Sequence, residues 1–185
     1  MEHHIKLPLT EELAKNLRAG DTVYLTGEIF TSRDAGHKRM VELLDRGEKL
    51  PFDPENATIY YVGPSPAKPG QVIGSAGPTT SGRMDAYAPR LLAVGARGMI
   101  GKGARSLEVI EAMKQHTGVY FGAIGGAGAL LAKCIKKSEL IAWEDLQSEA
   151  LRKLWVEQMP LVVVIDSLGN DLYKQGRAAY FSSHK

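Results

Sequence analysis

The chain has 185 residues, 44% hydrophobic and 24% charged, with 23 basic and 21 acidic side chains and a formal net charge of +2. This length buries one sizeable core. The near-even, scattered charge excludes a broad basic face for nucleic acid or an anionic membrane surface.

The single cysteine, Cys134, excludes an internal disulfide and any zinc or iron–sulfur site built from several thiolates of this chain. None of the five histidines shows ligand spacing to a second His or Cys within the body of the chain, so no metal is expected on these residues alone. No apolar run approaches the length of a membrane span. The start, Met1 to Lys6, lacks the apolar core of a signal peptide, and a cytoplasmic protein is expected. There is no internal repeat, and residues 1–185 are read as one domain.

In chain order, Thr10-Glu11-Glu12-Leu13 predicts a capped short helix running toward Leu17. Gly20-Asp21 is a turn, and Thr22–Thr26 has strand composition. Gly27–Ser32 reads as a short connection, after which Asp34 can cap a helix from Ala35 to about Asp45. A loop over Gly47–Asn56 leads to a strand over Ala57–Val62. The densest Pro/Gly stretch, Gly63–Gly70, is a rigid excursion. Val72–Ala76 reads as the end of a buried strand, and a turn follows before a helix opened by Pro89.

Met99-Ile100 is a short strand running into Gly101-Lys102-Gly103, and Ser106–His116 is an amphipathic helix. Val119–Ile124 is a strand entering a small-residue helix, Ala129–Cys134. Leu140–Trp143 reads as a strand, Ser148–Gln158 as a helix and Leu161–Ile165 as a strand buried on both faces. Gly169-Asn170 turns into a last short strand near Tyr173. Strands and helices alternate, which makes an α/β domain, but the mix of hairpin-like and crossover connections argues against a simple doubly wound sheet.

The chemistry concentrates in Gly77-Pro78-Thr79-Thr80-Ser81-Gly82-Arg83-Met84-Asp85, where three hydroxyls and a guanidinium fall within five positions. Hydroxyls, free backbone N–H groups and Arg all donate, as an anionic ligand requires. Thr31-Ser32-Arg33-Asp34 and Gly101-Lys102-Gly103 share the construction: an apolar strand, then small residues, then a cation near a helix start. In α/β sheets ligands gather outside the carboxyl ends of strands. Two arginines and a lysine converging there suit a small di-acid, because the guanidinium plane matches a carboxylate bidentately.

Other motifs read as structure. Gly101-Lys102 is not a phosphate-binding loop, since Ala96 and Gly103 stand where that motif needs Gly and Ser/Thr. His37 lies on the packed stripe with Met40, Val41 and Leu44. Gly122–Gly128 fails the dinucleotide spacing. Cys134 is a core cysteine, and Asp166 a turn or cap residue.

Taken together, Gly27 to Arg39, Gly77 to Asp85 and Met99 to Gly103 resemble the β subunit of class I, iron–sulfur fumarate hydratase, and also the related tartrate dehydratase β subunit. The resemblance extends through Gly122–Ala127 and Gly169–Tyr173 and covers nearly the whole chain. It implies a swivelling β/β/α domain with a mixed sheet and flanking helices. It also implies an active site shared with an α subunit that holds a four-iron four-sulfur cluster, and inactivity without that partner. This chain would supply no metal ligand.

The implied reaction is reversible hydration of fumarate to malate. Arg33, Thr80, Arg83 and Lys102 would bind the substrate carboxylates, and Thr79 is the implied proton acceptor. Tartrate dehydration is the alternative within the enzyme reading. A non-catalytic, anion-binding regulatory module is the alternative outside it.

Overall fold

The computed structural model describes residues 1–123 and 128–183. In chain order the elements are β1 (Glu2–Lys6), α1 (Glu11–Lys15), β2 (Thr22–Thr31), α2 (Asp34–Asp45), β3 (Thr58–Tyr60), a 3-10 turn (Ser81–Met84), α3 (Ala88–Ala93), β4 (Gly98–Gly101), α4 (Leu107–His116), β5 (Val119–Ala123), α5 (Gly128–Cys134), β6 (Ile135–Ala142), a second 3-10 segment (Glu144–Glu149), β7 (Leu151–Ile165) and α6 (Leu172–Ser183). The expected mixed α/β architecture with flanking helices is what forms.

The sheet has seven strands in the order β1-β2-β3-β4-β5-β7-β6. Strands β2 to β5 are parallel, and β7 runs antiparallel to both β2 and β5. Those pairings close β2, β3, β4, β5 and β7 into a ring, with β1 and β6 added at β2 and β7. Alternation along each strand then sends residues to opposite faces. Leu25, Ile29, Tyr60, Ile100, Phe121, Leu154 and Val163 fill the interior. Ile59, Tyr61, Met99, Tyr120 and Val164 face outward, where Met40, Leu91, Leu92, Ile110 and Met113 of α2, α3 and α4 cover them.

Caps set several boundaries. Thr10 Oγ1 accepts from the Leu13 N–H at 3.3 Å, and Ser106 Oγ accepts from Val109 at 3.3 Å. Asp34 is the first residue of α2 rather than its cap. The cap position belongs to Arg33, which is extended and makes no side-chain capping bond.

Four expectations are corrected by tertiary context. Strand β2 does not stop at Thr26: Gly27 forms a bulge at φ +137°, and the chain pairs on to Thr31. A Cβ at Gly27 would sit 2.8 Å from that of Leu7. Val72–Ala76 is not a strand. It folds against the Pro/Gly excursion, with the Ser65 N–H donating to the Ser75 carbonyl at 3.0 Å and the Ser75 N–H to Ser65 Oγ at 2.7 Å.

The expected helix over Ser148–Gln158 does not form: Ser148 and Glu149 end the second 3-10 segment, and β7 starts at Leu151 and is laddered on both edges through residues 152–156. Two sets of strand bonds and the burial of Leu151, Leu154 and Val156 outweigh helix preferences of tenths of a kcal/mol per residue. The last element is the helix α6 and not a strand. Asp171 makes a single bridge to Ile165, then its carboxylate accepts from the Tyr173 N–H at 2.9 Å and the helix begins. The end of the expected strand at Ile124 and the small residues after it, through Ala127, lie outside the described residues.

Candidate functional site

Because β2, β3 and β4 are parallel, their carboxyl ends share one edge, and all three cation-bearing loops leave from it. The loop after β3 returns to that edge. The Thr79 N–H donates to the Tyr61 carbonyl at 2.8 Å, and Thr80 forms a parallel bridge with Lys102. The Ser81 N–H donates to the Lys102 carbonyl at 2.9 Å and the Lys102 N–H to the Thr79 carbonyl at 3.3 Å. Thr79, Thr80 and Lys102 are therefore held together by main chain, a firmer constraint than side-chain contact.

Arg83 adds the third loop. Its Nη2 donates to Thr79 Oγ1 at 2.7 Å, and its Nε lies 3.5 Å from Asp34 Oδ2, in the residue that follows Arg33. Arg33 leans over Gly63, where a Cβ would come within 2.9 Å of its guanidinium. Its Nε lies 4.0 Å from Glu149 Oε1 and is buried with no hydrogen-bond partner. Arg33, Thr79, Thr80, Arg83 and Lys102 thus belong to one edge of the sheet, as their sequence context suggests.

Beneath these residues lies a buried polar layer. Ser81 Oγ meets the Tyr120 hydroxyl at 2.8 Å, and that hydroxyl donates to the Gly103 carbonyl at 2.9 Å. Burial pushes the Tyr120 pKa up, so the phenol stays a donor. The Arg105 side chain is fully buried between the Tyr61 and Tyr120 rings, 5.2 and 4.9 Å from their centroids. Asp85 accepts from Arg105 Nε and from the Ser106 N–H, each at 2.7 Å. The two ends of the loop that carries Thr79 and Arg83 are therefore tied to the loop that carries Lys102.

His37 lies behind Arg33. Its Nδ1 is 2.9 Å from the Arg33 carbonyl and 3.0 Å from Ser32 Oγ, while Nε2 is buried without a partner. Burial lowers its pKa from 6.5 to about 4, so the ring is neutral. It is a packed histidine, as the sequence stripe suggests. Cys134 stands apart from the cations, its thiol directed at the Leu130 carbonyl at 3.6 Å, and burial pushes its pKa up. Asp166 accepts from the Leu168 and Asn170 N–H groups and is a turn residue.

The Arg83–Asp34 pair faces solvent, with side chains 49% and 43% exposed, whereas the Arg33 side chain is 28% exposed. Open grooves of about 790 and 680 Å³ lie elsewhere, one along α6 and one between the Pro/Gly excursion and α5. None of Arg33, Thr79, Arg83 or Lys102 lines either.

Residues 2–176 match the family described as the Fumarase C-terminus. The chain belongs to this family. Over 153 residues, 82% of the chain, it is 42% identical to a protein named "Fumarate hydratase class I, aerobic" of Salmonella typhimurium, of which the match covers 26%. "Fumarate hydratase 2" of Leishmania major is 41% identical over 158 residues, 84% of this chain and 28% of that protein. "Putative L(+)-tartrate dehydratase subunit beta" of Methanocaldococcus jannaschii is 37% identical over 173 residues, 90% of this chain and 89% of that protein. This Fumarase C-terminus chain spans about a quarter of the length of the fumarate hydratases it matches.

Some participants in this Fumarase C-terminus site carry no functional signal in the sequence. Asp34 looks like a helix cap and is the ion-pair partner of Arg83. Glu149 lies in a segment read as helix and faces Arg33. Nothing in the local sequence separates the buried Arg105 from a surface arginine. The signal that could have found Asp34 is its position, an acid directly beside one of three cations.

Proposed function

We propose that this chain is the dicarboxylate-binding part of a hydro-lyase that interconverts fumarate and malate, working as the β subunit beside an α subunit that carries the iron–sulfur cluster. The observation that carries the reading is the union of three loops: Thr79, Thr80 and Lys102 joined through main chain, and Arg83 reaching both Thr79 and Asp34. The similarity to fumarate hydratases and to a tartrate dehydratase β subunit supports the same chemistry.

The chain's own groups do not fit a cluster. Its one thiol points at the Leu130 carbonyl, and the site gathers cations and hydroxyls. Among the described residues no group of three His, Cys, Asp or Glu could hold a metal ion. In this reading the partner would hold the cluster, and this chain would contribute only its cations and hydroxyls.

What the chain supplies is charge and aim. Arg33, Arg83 and Lys102 neutralise two carboxylates and the further charge that builds as a C–H bond next to a carboxylate breaks. Arg83 keeps donors beyond those used by Thr79 and Asp34, so its fork can also take a carboxylate oxygen. Thr79 Oγ1 accepts from Arg83, which lowers the cost of negative charge on that oxygen and leaves its O–H free to exchange a proton with substrate. Thr80 adds a hydroxyl at the same edge. The half-exposed Arg83 and the exposed Lys102 fit a site that a second polypeptide completes and closes from water.

Tartrate dehydration is the second reading, favoured by the match over 89% of the tartrate dehydratase β relative. The test is anaerobic co-production with a cysteine-bearing α subunit, followed by assays on fumarate, malate and tartrate. Reversible fumarate hydration that needs both polypeptides is expected. Turnover of tartrate alone selects the second reading. Dicarboxylate binding without turnover of any substrate, with the partner's cluster intact, selects a regulatory anion-binding module.

A further inference from the structure

We infer that Asp34 is a positioning residue for the proposed reaction, holding the Arg83 fork in register with Thr79. The inference rests on the hydro-lyase reading above and adds a residue that neither the sequence motifs nor the similarity to known proteins singles out for a role.

Arg83 is a long side chain, half exposed, on a single 3-10 turn. Its only hydrogen bond to another side chain among the described residues is Nη2 to Thr79 Oγ1 at 2.7 Å. One contact point lets a guanidinium pivot. A second contact fixes its plane: Asp34 Oδ2 lies 3.5 Å from Nε, which shares one edge of the guanidinium with Nη2. With both in place, the Nη1 donors and the second N–H of Nη2 remain for a substrate carboxylate.

Asp34 opens the twelve-residue helix α2, which fixes its backbone, and its Oδ1 is shut away from water without a hydrogen-bond partner, so the Arg83 contact through Oδ2 is the one this carboxylate makes among the described residues. A carboxylate within the first turn is also favoured by the helix dipole. The bland account of Asp34 stops at that dipole, and it makes a different forecast: a less stable helix with unchanged kinetics. A carboxylate in a site for dianions is also unfavourable for binding, so holding Arg83 is the service that offsets that repulsion.

The experiment compares Asp34→Asn, Arg83→Lys and the double variant, each reconstituted with the cluster-bearing partner, by fumarate hydration kinetics and thermal unfolding. Asp34→Asn is expected to lower kcat by about tenfold to a hundredfold, because a small misplacement of an aligned group is that costly. The KM for fumarate is expected not to rise, since the cations remain and a negative charge has gone. In the Arg83→Lys background the same substitution should change kcat by less than about twofold, because the group it acts through is already lost. In the chain alone, the Arg83 Nε–H resonance should be sharp and should broaden in Asp34→Asn.

An unchanged kcat with a lowered unfolding temperature overturns the inference and leaves the dipole account. A rise in KM alone, or kcat effects that multiply in the double variant, also overturns it. Absence of turnover in the reconstituted wild type overturns the hydro-lyase reading and this inference together. A normal wild type beside an unaffected Asp34→Asn overturns the inference alone.

Discussion

His37 shows how one buried side chain can leave a mark on the whole protein. Its imidazole is shut in against Tyr61, with ring centroids 5.2 Å apart, and has no carboxylate hydrogen-bonded to its ring. Burial lowers its pKa from 6.5 to about 4. Between those values the unfolded chain binds a proton that the folded chain refuses, so stability falls as the pH drops through that window and is intact above it. The size of the shift corresponds to about 3 kcal/mol. Thermal unfolding is therefore expected at a clearly lower temperature at pH 4.5 than at pH 7.5. His37→Asn keeps a donor for the Arg33 carbonyl and removes the titration, so it should flatten that dependence while lowering stability overall. A variant that keeps the wild-type slope would assign the acid sensitivity to another group. The bond to the Arg33 carbonyl favours the charged ring and offsets only part of the cost of burial.

Strand β4 meets the 3-10 turn of Ser81–Met84 at Gly101, where a Cβ would overlap Ser81 Oγ and come within 2.9 Å of the Tyr61 ring. Gly101→Ala is expected to cost about 1–3 kcal/mol by overpacking, read as a lower urea midpoint. Adding Ser81→Ala removes the obstructing hydroxyl and leaves Tyr120 its bond to the Gly103 carbonyl, so the double variant should recover part of that loss. A Gly101→Ala protein that unfolds like the wild type would mean that turn and strand are not in close contact. This junction also shows which elements the sequence discloses. Gly98–Gly101, the caps at Thr10 and Ser106 and the stripe of α2 are locally determined, by composition, cap chemistry and period. The first half of β7 is not, because residues 152–156 pair with Gly27–Thr31 on one edge and Ile135–Leu140 on the other, and Lys153 or Trp155 carry no trace of those neighbours. The candidate site divides in the same way. Arg33 and Lys102 stand out because each follows a strand among small residues, and Thr79 and Arg83 because hydroxyls, glycines and a guanidinium crowd one segment, although the strand expected before it at Val72–Ala76 does not form. Asp34, Glu149 and Arg105 gain their meaning only from the partners that folding brings.

At the scale of the molecule, a closed ring of strands carries α2, α3 and α4 on the outer face and gathers the cation-bearing loops at the carboxyl edge of β2, β3 and β4. Net charge is only +2, so attraction for a dianion comes from the local arrangement and not from the field of the whole chain. Arg83 is half exposed, and charges in contact with water are screened over about 8 Å at physiological salt. The chain alone should therefore bind succinate or fumarate weakly, and added salt should abolish the binding. A titration followed by amide resonances is expected to move Thr79, Thr80, Arg83 and Lys102, with the shifts lost at about 0.5 M salt. When a partner covers the edge, water is displaced and the same charges act through a lower effective dielectric. Binding to the assembled protein should then be tighter and much less sensitive to salt. Equal salt dependence with and without the partner would place the partner away from this edge, and perturbation at Ser65, Ile73 and Lys133 instead would move the anion site to the groove beside α5.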